Sequence, residues 1–148
     1  GVAFADLDGD GDQALFATMG GAWPGDPSRN LLFENPGFGN HWLSVHAVGV
    51  QSNRSAIGAR LRAVIREGGR ERSIYRHVDS GGSFGCNPLR QVLGLGRAEE
   101  LVRLEIRWPR TGIVQTVAGV GLDMAVRGVE GEPGFSRIAV APAPFRRR

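Results

Sequence analysis

The segment Ala59-Arg60-Leu61-Arg62-Ala63-Val64-Ile65-Arg66 alternates apolar side chains with arginines over most of its length. A period of two places the apolar residues on one face of a β-strand and the arginines on the other. The next residues, 67–70, contain two adjacent glycines, which supply the positive φ angles of a tight hairpin turn. Residues 71–79 are predicted to return as the partner strand. The segment therefore indicates a half-buried β-hairpin.

The same pattern recurs further along the chain. In residues 101–108 the apolar positions again alternate with charged ones. Shorter apolar, β-prone runs bounded by glycine or proline lie at 2–4, 15–16, 30–35, 41–49, 92–93, 113–117 and 122–126. We find no long 3.6-residue periodicity. Short strands at regular spacing predict an all-β protein containing a small antiparallel β-sandwich or barrel.

An acidic loop, Asp6-Leu7-Asp8-Gly9-Asp10-Gly11-Asp12, separates the first two predicted strands. Carboxylates this close repel one another, and a hard cation bound by oxygen ligands removes that cost. We expect Ca²⁺, with side-chain ligands from Asp6, Asp8 and Asp10 and the backbone carbonyl of Asp12. An EF-hand is not indicated, because its bidentate glutamate is missing and the flanking runs suit strands. The alternative is a vestigial loop neutralised by a nearby arginine.

This loop resembles the FG-GAP, or integrin-type, repeat of β-propellers, in which D-x-D-x-D-G-x-x-D joins the first two strands of a blade. Residues 4–16 follow that pattern except at Ala14, which stands where the repeat has its last aspartate. The resemblance implies that the chain begins with part of a propeller blade. An open blade would leave an unpaired strand edge for the rest of a propeller or for a partner chain.

Composition limits the remaining possibilities. All 18 basic residues are arginine, and the net charge of +3 combines −5 over residues 1–35 with +8 over the rest. Such charge could attract polyanions, although the low aromatic content of 7% weakens a nucleic-acid interpretation. No apolar run is long enough to span a bilayer. Cys86 is the only cysteine, which excludes an intramolecular disulfide.

A second resemblance covers residues 40–126, which are similar to the ASPIC/UnbV domain. Its motifs are Asn40–Leu43, Ser52–Leu61, Ser80–Gly85, Pro88–Gln91, Leu93–Gly96 and Leu104–Pro109, followed by Gly112 and Gln115-Thr116. In that family the domain typically follows FG-GAP repeats in secreted proteins. The resemblance therefore implies an extracellular, cell-surface or periplasmic location and a calcium-assisted fold. It carries over no catalytic residue.

These observations predict three regions: a partial propeller repeat over residues 1–38, an ASPIC/UnbV-like β domain over 39–128, and a Pro/Ala/Arg tail over 129–148. The chain begins inside a strand and without methionine, so we expect a fragment or a cleaved precursor. Within the β domain, Asn53, Arg54, Ser83 and Arg90 are candidate ligand-binding residues in loops. The alternative is that these loop residues serve only structure.

Catalytic motifs are weak. His77, Asp79, Ser80 and Ser83 are close in sequence but form no G-x-S-x-G elbow. We therefore favour a non-catalytic calcium-binding β domain for adhesion or for carbohydrate or protein recognition. One alternative is an accessory domain of an extracytoplasmic enzyme whose active site lies in the missing propeller. Another is a polyanion-binding protein that uses its arginine-rich faces.

Overall fold

The computed structural model describes residues 1–21, 23–82, 88–141 and 143. These residues form eleven β-strands and no helix, which confirms the predicted all-β class. Accordingly, none of the described residues belongs to a helix long and apolar enough to cross a membrane. The chain divides into two compact units: Gly1–Phe38 with residues from Val140 onward, and Gly39–Ala139.

The first unit contains a three-stranded antiparallel sheet. Its strands are β1 (Val2–Ala5), β2 (Ala14–Ala17) and β3 (Leu31–Phe33), in the order β1-β2-β3. In register, Phe4 faces Leu15 and Leu15 faces Phe33, so these three side chains share one face of the sheet. Ala3, Phe16 and Leu32 share the opposite face by the same pairing. Both faces of this sheet are therefore apolar.

The second unit contains two open four-stranded sheets. One has the order β11-β10-β4-β7 and the other β6-β5-β8-β9. The strands are β4 (His41–Val48), β5 (Arg60–Glu67), β6 (Arg70–His77), β7 (Gln91–Gly96), β8 (Glu100–Arg107), β9 (Val114–Val117), β10 (Met124–Val129) and β11 (Ser136–Ile138).

A single core joins the two sheets of the second unit. One sheet contributes Leu43, Val45 and Leu93, and the other contributes buried side chains such as Leu61 and Leu104. Because both sheets share this core and neither closes on itself, the unit is a β-sandwich and not a barrel. The alternation that predicted β5 and β8 is confirmed at Leu61, Leu104 and Ile106, which are buried. A bulge in the pairing of the two strands shifts the pattern at the start of β8, where Leu101 is buried and Val102 is only partly buried.

One pairing departs from the expected antiparallel arrangement. Strand β10 runs parallel to β4, with Val126 opposite Val45, whereas the other described pairings are antiparallel. The pairing starts at Asp123, which donates its N–H to the Trp42 carbonyl at 2.9 Å. The Asp123 carboxylate in turn accepts the Trp42 N–H at 3.1 Å and contacts His41 Nδ1 at 2.7 Å. A period of two marks a strand but not its direction, so the sequence pattern could not reveal this.

The end of the second unit also differs from the expected tail. Strand β11 adds to the edge of β10, with Ile138 opposite Ala125. Glu130, placed in the tail by sequence, is buried. Glycines and prolines interrupt residues 131–144, so the three-residue strand has no alternation to mark it.

Candidate functional site

The acidic loop connects β1 to β2, as expected from the sequence. Gly9 and Gly11 adopt φ angles of 76° and 95°, which are readily available only to glycine. The Gly9 N–H donates to Asp6 Oδ1 at 2.8 Å, and the Asp12 N–H donates to Asp10 Oδ1 at 2.8 Å. These short bonds curl the loop so that alternate side chains turn inward.

The curl brings three carboxylates together. One oxygen from each of Asp6, Asp8 and Asp10 lies within 4.8 Å of the others. Burial, reinforced by the charge of Asp10, raises the pKa of the Asp8 carboxyl. The Asp8 carbonyl also accepts the N–H of Ala143 at 2.5 Å. The arrangement concentrates negative charge where a hard divalent cation with oxygen ligands would fit.

Asp12 and Ala14 lie outside this cluster. The Asp12 carboxylate lies against Gly37, where an added Cβ would collide with Oδ2. That side chain therefore does not join the three clustered carboxylates, and its carbonyl as a ligand stays a prediction. Ala14, which stands where the FG-GAP repeat has its last aspartate, is buried at the start of β2 opposite Ala5, so this position belongs to the sheet.

The loop after β4 contains two of the predicted ligand-binding residues. The Asn53 amide donates to the Ile57 carbonyl at 2.7 Å and accepts the Ile57 N–H at 2.9 Å. The Arg54 carbonyl accepts the Gly49 N–H at 3.2 Å, whereas its side chain is exposed. Asn53 thus folds the loop back on itself, and Arg54 remains available to a ligand.

The other two candidates fall near β7. Arg90 is exposed immediately before this strand, and Ser83 lies outside the described residues, as does Cys86. Because β7 runs antiparallel to β4, Arg90 and the loop after β4 lie at the same end of the sheet. Ligand binding by these residues stays a prediction.

Sequence reasoning missed Glu130, which organises that same end of the sandwich. One of its oxygens accepts the N–H groups of Val50, Gln51 and Ser52 at 2.6–2.9 Å. The other accepts the hydroxyls of Ser52 and Thr111 at 2.9 and 3.1 Å. Burial alone would raise the pKa of Glu130, but these hydrogen bonds outweigh it and lower the pKa to about 2.

A cavity of about 290 Å³ lies beside Glu130, with Val50, Trp108 and Ile113 among its apolar walls. Its polar groups are engaged with each other. The Trp108 indole N–H donates to Gln115 Oε1 at 3.0 Å, and Gln115 Nε2 donates to the Glu132 carbonyl at 2.8 Å. These contacts tie β9 to the segments that follow β8 and β10.

The residues considered for hydrolysis are only loosely related in space. His77 Nδ1 lies 3.9 Å from the Asp79 carboxylate, beyond hydrogen-bonding distance. Ser80 is exposed, and Ser83 is outside the described residues. A second histidine–aspartate pair, His41 and Asp123, secures the parallel pairing of β4 and β10.

Fold and loop together define an all-β protein that joins an acidic strand–loop–strand unit to a mixed β-sandwich. The ASPIC and UnbV family model matches residues 49–133, more than half of the 148-residue chain, and the chain belongs to this family. The match confirms the resemblance drawn from the sequence motifs and covers most of the β-sandwich. No curated protein matches the chain.

Proposed function

We propose that this protein is a calcium-stabilised, non-catalytic recognition module that acts outside the cytoplasm. The observation that carries the proposal is the convergence of the Asp6, Asp8 and Asp10 carboxylates within 4.8 Å. Three carboxylates on a glycine-containing loop give the oxygen-rich, negatively charged donor set that Ca²⁺ prefers. The Asp12 carbonyl would complete the protein ligands, and water would supply the remainder.

The metal would act on stability and not on catalysis. Bound Ca²⁺ would cancel the repulsion among the three carboxylates and tie the loop between β1 and β2. Ala14 leaves the site one carboxylate short of the FG-GAP repeat, so we expect weak binding, with a dissociation constant of roughly 10⁻⁴–10⁻³ M and a need for millimolar calcium. This requirement supports a secreted, cell-surface or periplasmic location.

The first unit would be part of an FG-GAP-type propeller blade. Apolar side chains on both faces of its sheet support this proposal, because a sheet that packs on one layer needs only one apolar face. Phe4 is 62% exposed and Phe33 is 54% exposed. Neighbouring blades, or a partner chain at the open edge, would cover these faces.

Recognition is favoured over catalysis because several buried or loop polar groups of the family-matched segment hold the scaffold together, whereas its exposed arginines remain on the surface. Asn53 closes its own loop, Glu130 gathers five donors, and Gln115 bridges Trp108 to backbone carbonyls. A rigid sandwich with loops fixed in this way is a scaffold that presents its surface to a ligand. The ligand would be a glycan or a protein.

Thermal unfolding with calcium and with a chelator tests the metal site. Calcium at ten times its dissociation constant should add about 1.4 kcal/mol to the free energy of unfolding and raise Tm by several degrees. The variant Asp8→Asn should lose this response, because it removes a central carboxylate. Asp26→Asn is the matched control, since it removes one charge from the same unit outside the cluster.

The Tm of the Asp26→Asn control in chelator need not equal that of the parent chain, but calcium should raise it by the same amount. An unchanged Tm of the parent chain in calcium and in chelator would refute the proposed site. A response that persists in Asp8→Asn would place the metal elsewhere.

A further inference from the structure

The exposed face of the sheet β6-β5-β8-β9 has one half in which positive and negative charges balance and another half in which positive charge is in excess. In one half, three arginines and three glutamates form a linked network of ion pairs: Arg62, Arg66, Arg103, Glu71, Glu100 and Glu105. The shortest contacts are Arg66 to Glu100 at 2.7 Å and Arg103 to Glu105 at 2.8 Å. The charges in this half cancel.

The other half carries a cationic row of two arginines, Arg60 and Arg107, with His77 alongside. The strand register places Arg60 beside His77 on β6 and beside Arg107 on β8, and all three side chains are exposed. Among the described residues, Arg60 and Arg107 have no ion-pair or side-chain hydrogen-bond partner, and His77 lies 3.9 Å from Asp79. Strands are about 4.8 Å apart, so this cationic row spans roughly 10 Å.

Opposed arginines are unfavourable in a sheet. Like charges directly across an antiparallel pair destabilise it, and Arg60 faces Arg107 across the pairing of β5 with β8. At the next pair along the same face, Arg62 lies opposite Glu105 and forms an ion pair with it. The sheet therefore accepts glutamate opposite arginine, and Arg107 opposite Arg60 is not forced by the fold. An anion lying across the row would relieve the repulsion.

We propose that the cationic row binds an acidic polysaccharide through its sulfate or carboxylate groups. This inference rests on the recognition role proposed above and names the class of ligand. The guanidinium groups of Arg60 and Arg107 can each donate two parallel hydrogen bonds to such an oxyanion. Two arginines on neighbouring strands would therefore engage successive acidic groups of a linear polymer.

The surroundings of the row suit a sugar chain. Arg60, Tyr75, Arg76 and His77 line an open cleft of about 410 Å³. Tyr75 is 62% exposed, and its side chain forms an apolar wall of the cleft. Arg76 pairs with the buried Leu61, so its side chain lies on the other face of the sheet, where it donates to the carbonyls of Val92 and Tyr75, each at 3.2 Å.

The same features disfavour nucleic acid. Single strands are bound by several stacking aromatics, whereas Tyr75 is the single Phe, Tyr or Trp among the described residues lining the row and its cleft. Arg62 lies over that ring, with its guanidinium carbon 5.9 Å from the ring centre. Duplex grooves admit a helix or a two-stranded ribbon, and the face of a four-stranded sheet offers neither.

Binding of the 148-residue chain to immobilised heparin and to immobilised hyaluronate, in excess calcium, tests this inference. The double variant Arg60→Gln/Arg107→Gln should bind both polymers about tenfold more weakly. The affinity of this variant should also depend less on salt. The slope of log affinity against log salt concentration should be less negative by about two, because two arginines no longer contact acidic groups. The control Arg127→Gln/Arg137→Gln makes the same charge change on β10 and β11 and should bind like the parent.

Equal weakening of both double variants would show that net charge alone drives binding and would overturn the proposal. Binding to oligo(dT) through the row, with no retention on either polysaccharide, would overturn it in favour of nucleic acid. The calcium role is judged separately by the Tm of the same proteins. If calcium raises the Tm but neither polysaccharide binds, only the proposed role of the cationic row is refuted. If a polysaccharide binds but calcium leaves the Tm unchanged, only the proposed metal site is refuted.

Discussion

Glu130 shows how one residue can hold a charge inside the sandwich. Five donors surround its two carboxylate oxygens, so ionisation is favoured despite burial. These donors come from the loop after β4 and from Thr111. Glu130 therefore fixes two loops that the family match also includes.

The variant Glu130→Gln should lower the free energy of unfolding by about 3 kcal/mol at neutral pH. A glutamine amide presents two N–H groups where the carboxylate accepts hydrogen bonds, so some buried donors lose their acceptor. Urea denaturation followed by fluorescence measures the change. Glu132→Gln, at an exposed neighbour, should stay within about 0.5 kcal/mol of the parent, and an equal loss in both variants would contradict the assignment.

The depressed pKa of Glu130 also predicts a pH dependence. An unfolded glutamate takes up its proton near pH 4.5, whereas folded Glu130 does so near pH 2, so acid favours the unfolded chain. The stabilisation is fully present above pH 4.5 and disappears as pH falls toward 2. Unfolding titrations should show a shallower loss between these values in Glu130→Gln than in the parent. Parallel curves would contradict the low pKa.

The acidic loop could be predicted from sequence because its hydrogen bonds are local. Asp6 bonds to Gly9 and Asp10 to Asp12, at separations of three and two residues. Glu130 could not be predicted in the same way, since its partners Val50 and Ser52 lie 80 and 78 residues away. No periodic pattern records contacts of that kind.

At the scale of elements, the loop after β4 depends on a close approach of backbone to backbone. A Cβ at Gly49 would collide with the carbonyl oxygens of Asn53 and Ser52. Gly94 is different, because a Cβ there would meet no atom within 4 Å and its φ is not positive. Substitution by alanine should therefore be tolerated at Gly94 but not at Gly49.

The variant Gly49→Ala should lose more than about 2 kcal/mol of unfolding free energy, because backbone atoms must move to admit the methyl group. Gly94→Ala should be neutral, or more stable by up to about 1 kcal/mol, because alanine restricts the unfolded chain. Chemical denaturation of both variants provides the comparison. A loss in Gly94→Ala as large as that in Gly49→Ala would contradict the assigned role of the loop.

The sequence pattern predicted β5 and β8 more completely than it predicted β10 and β11. Both strands alternate between buried and more exposed residues over most of their length, and the pattern is interrupted only near the bulge at Val64 and Ile65. The direction of β10 and the presence of β11 depend on which edge each strand meets, and that is settled by tertiary pairing. The distinction between sandwich and barrel is also a tertiary property, because it depends on whether the sheets close.

At the scale of the whole molecule, the two units differ in how far their apolar side chains are buried. The sandwich buries one face of each sheet in a shared core. The sheet of the first unit is apolar on both faces, and side chains on both remain exposed, such as Phe4, Phe16 and Leu32. An exposed apolar patch of this kind usually marks an interface.

We therefore expect the chain to self-associate and to bind a hydrophobic dye through the first unit. The double variant Phe4→Thr/Phe33→Thr should reduce both, because it removes two exposed rings from one face and keeps strand-forming residues. Sedimentation velocity over a range of concentrations, together with dye fluorescence, measures the effect. Val114→Thr, at an exposed position in the sandwich, should leave both unchanged. Association that survives in the double variant would place the interface elsewhere and remove the support for a propeller blade in the first unit.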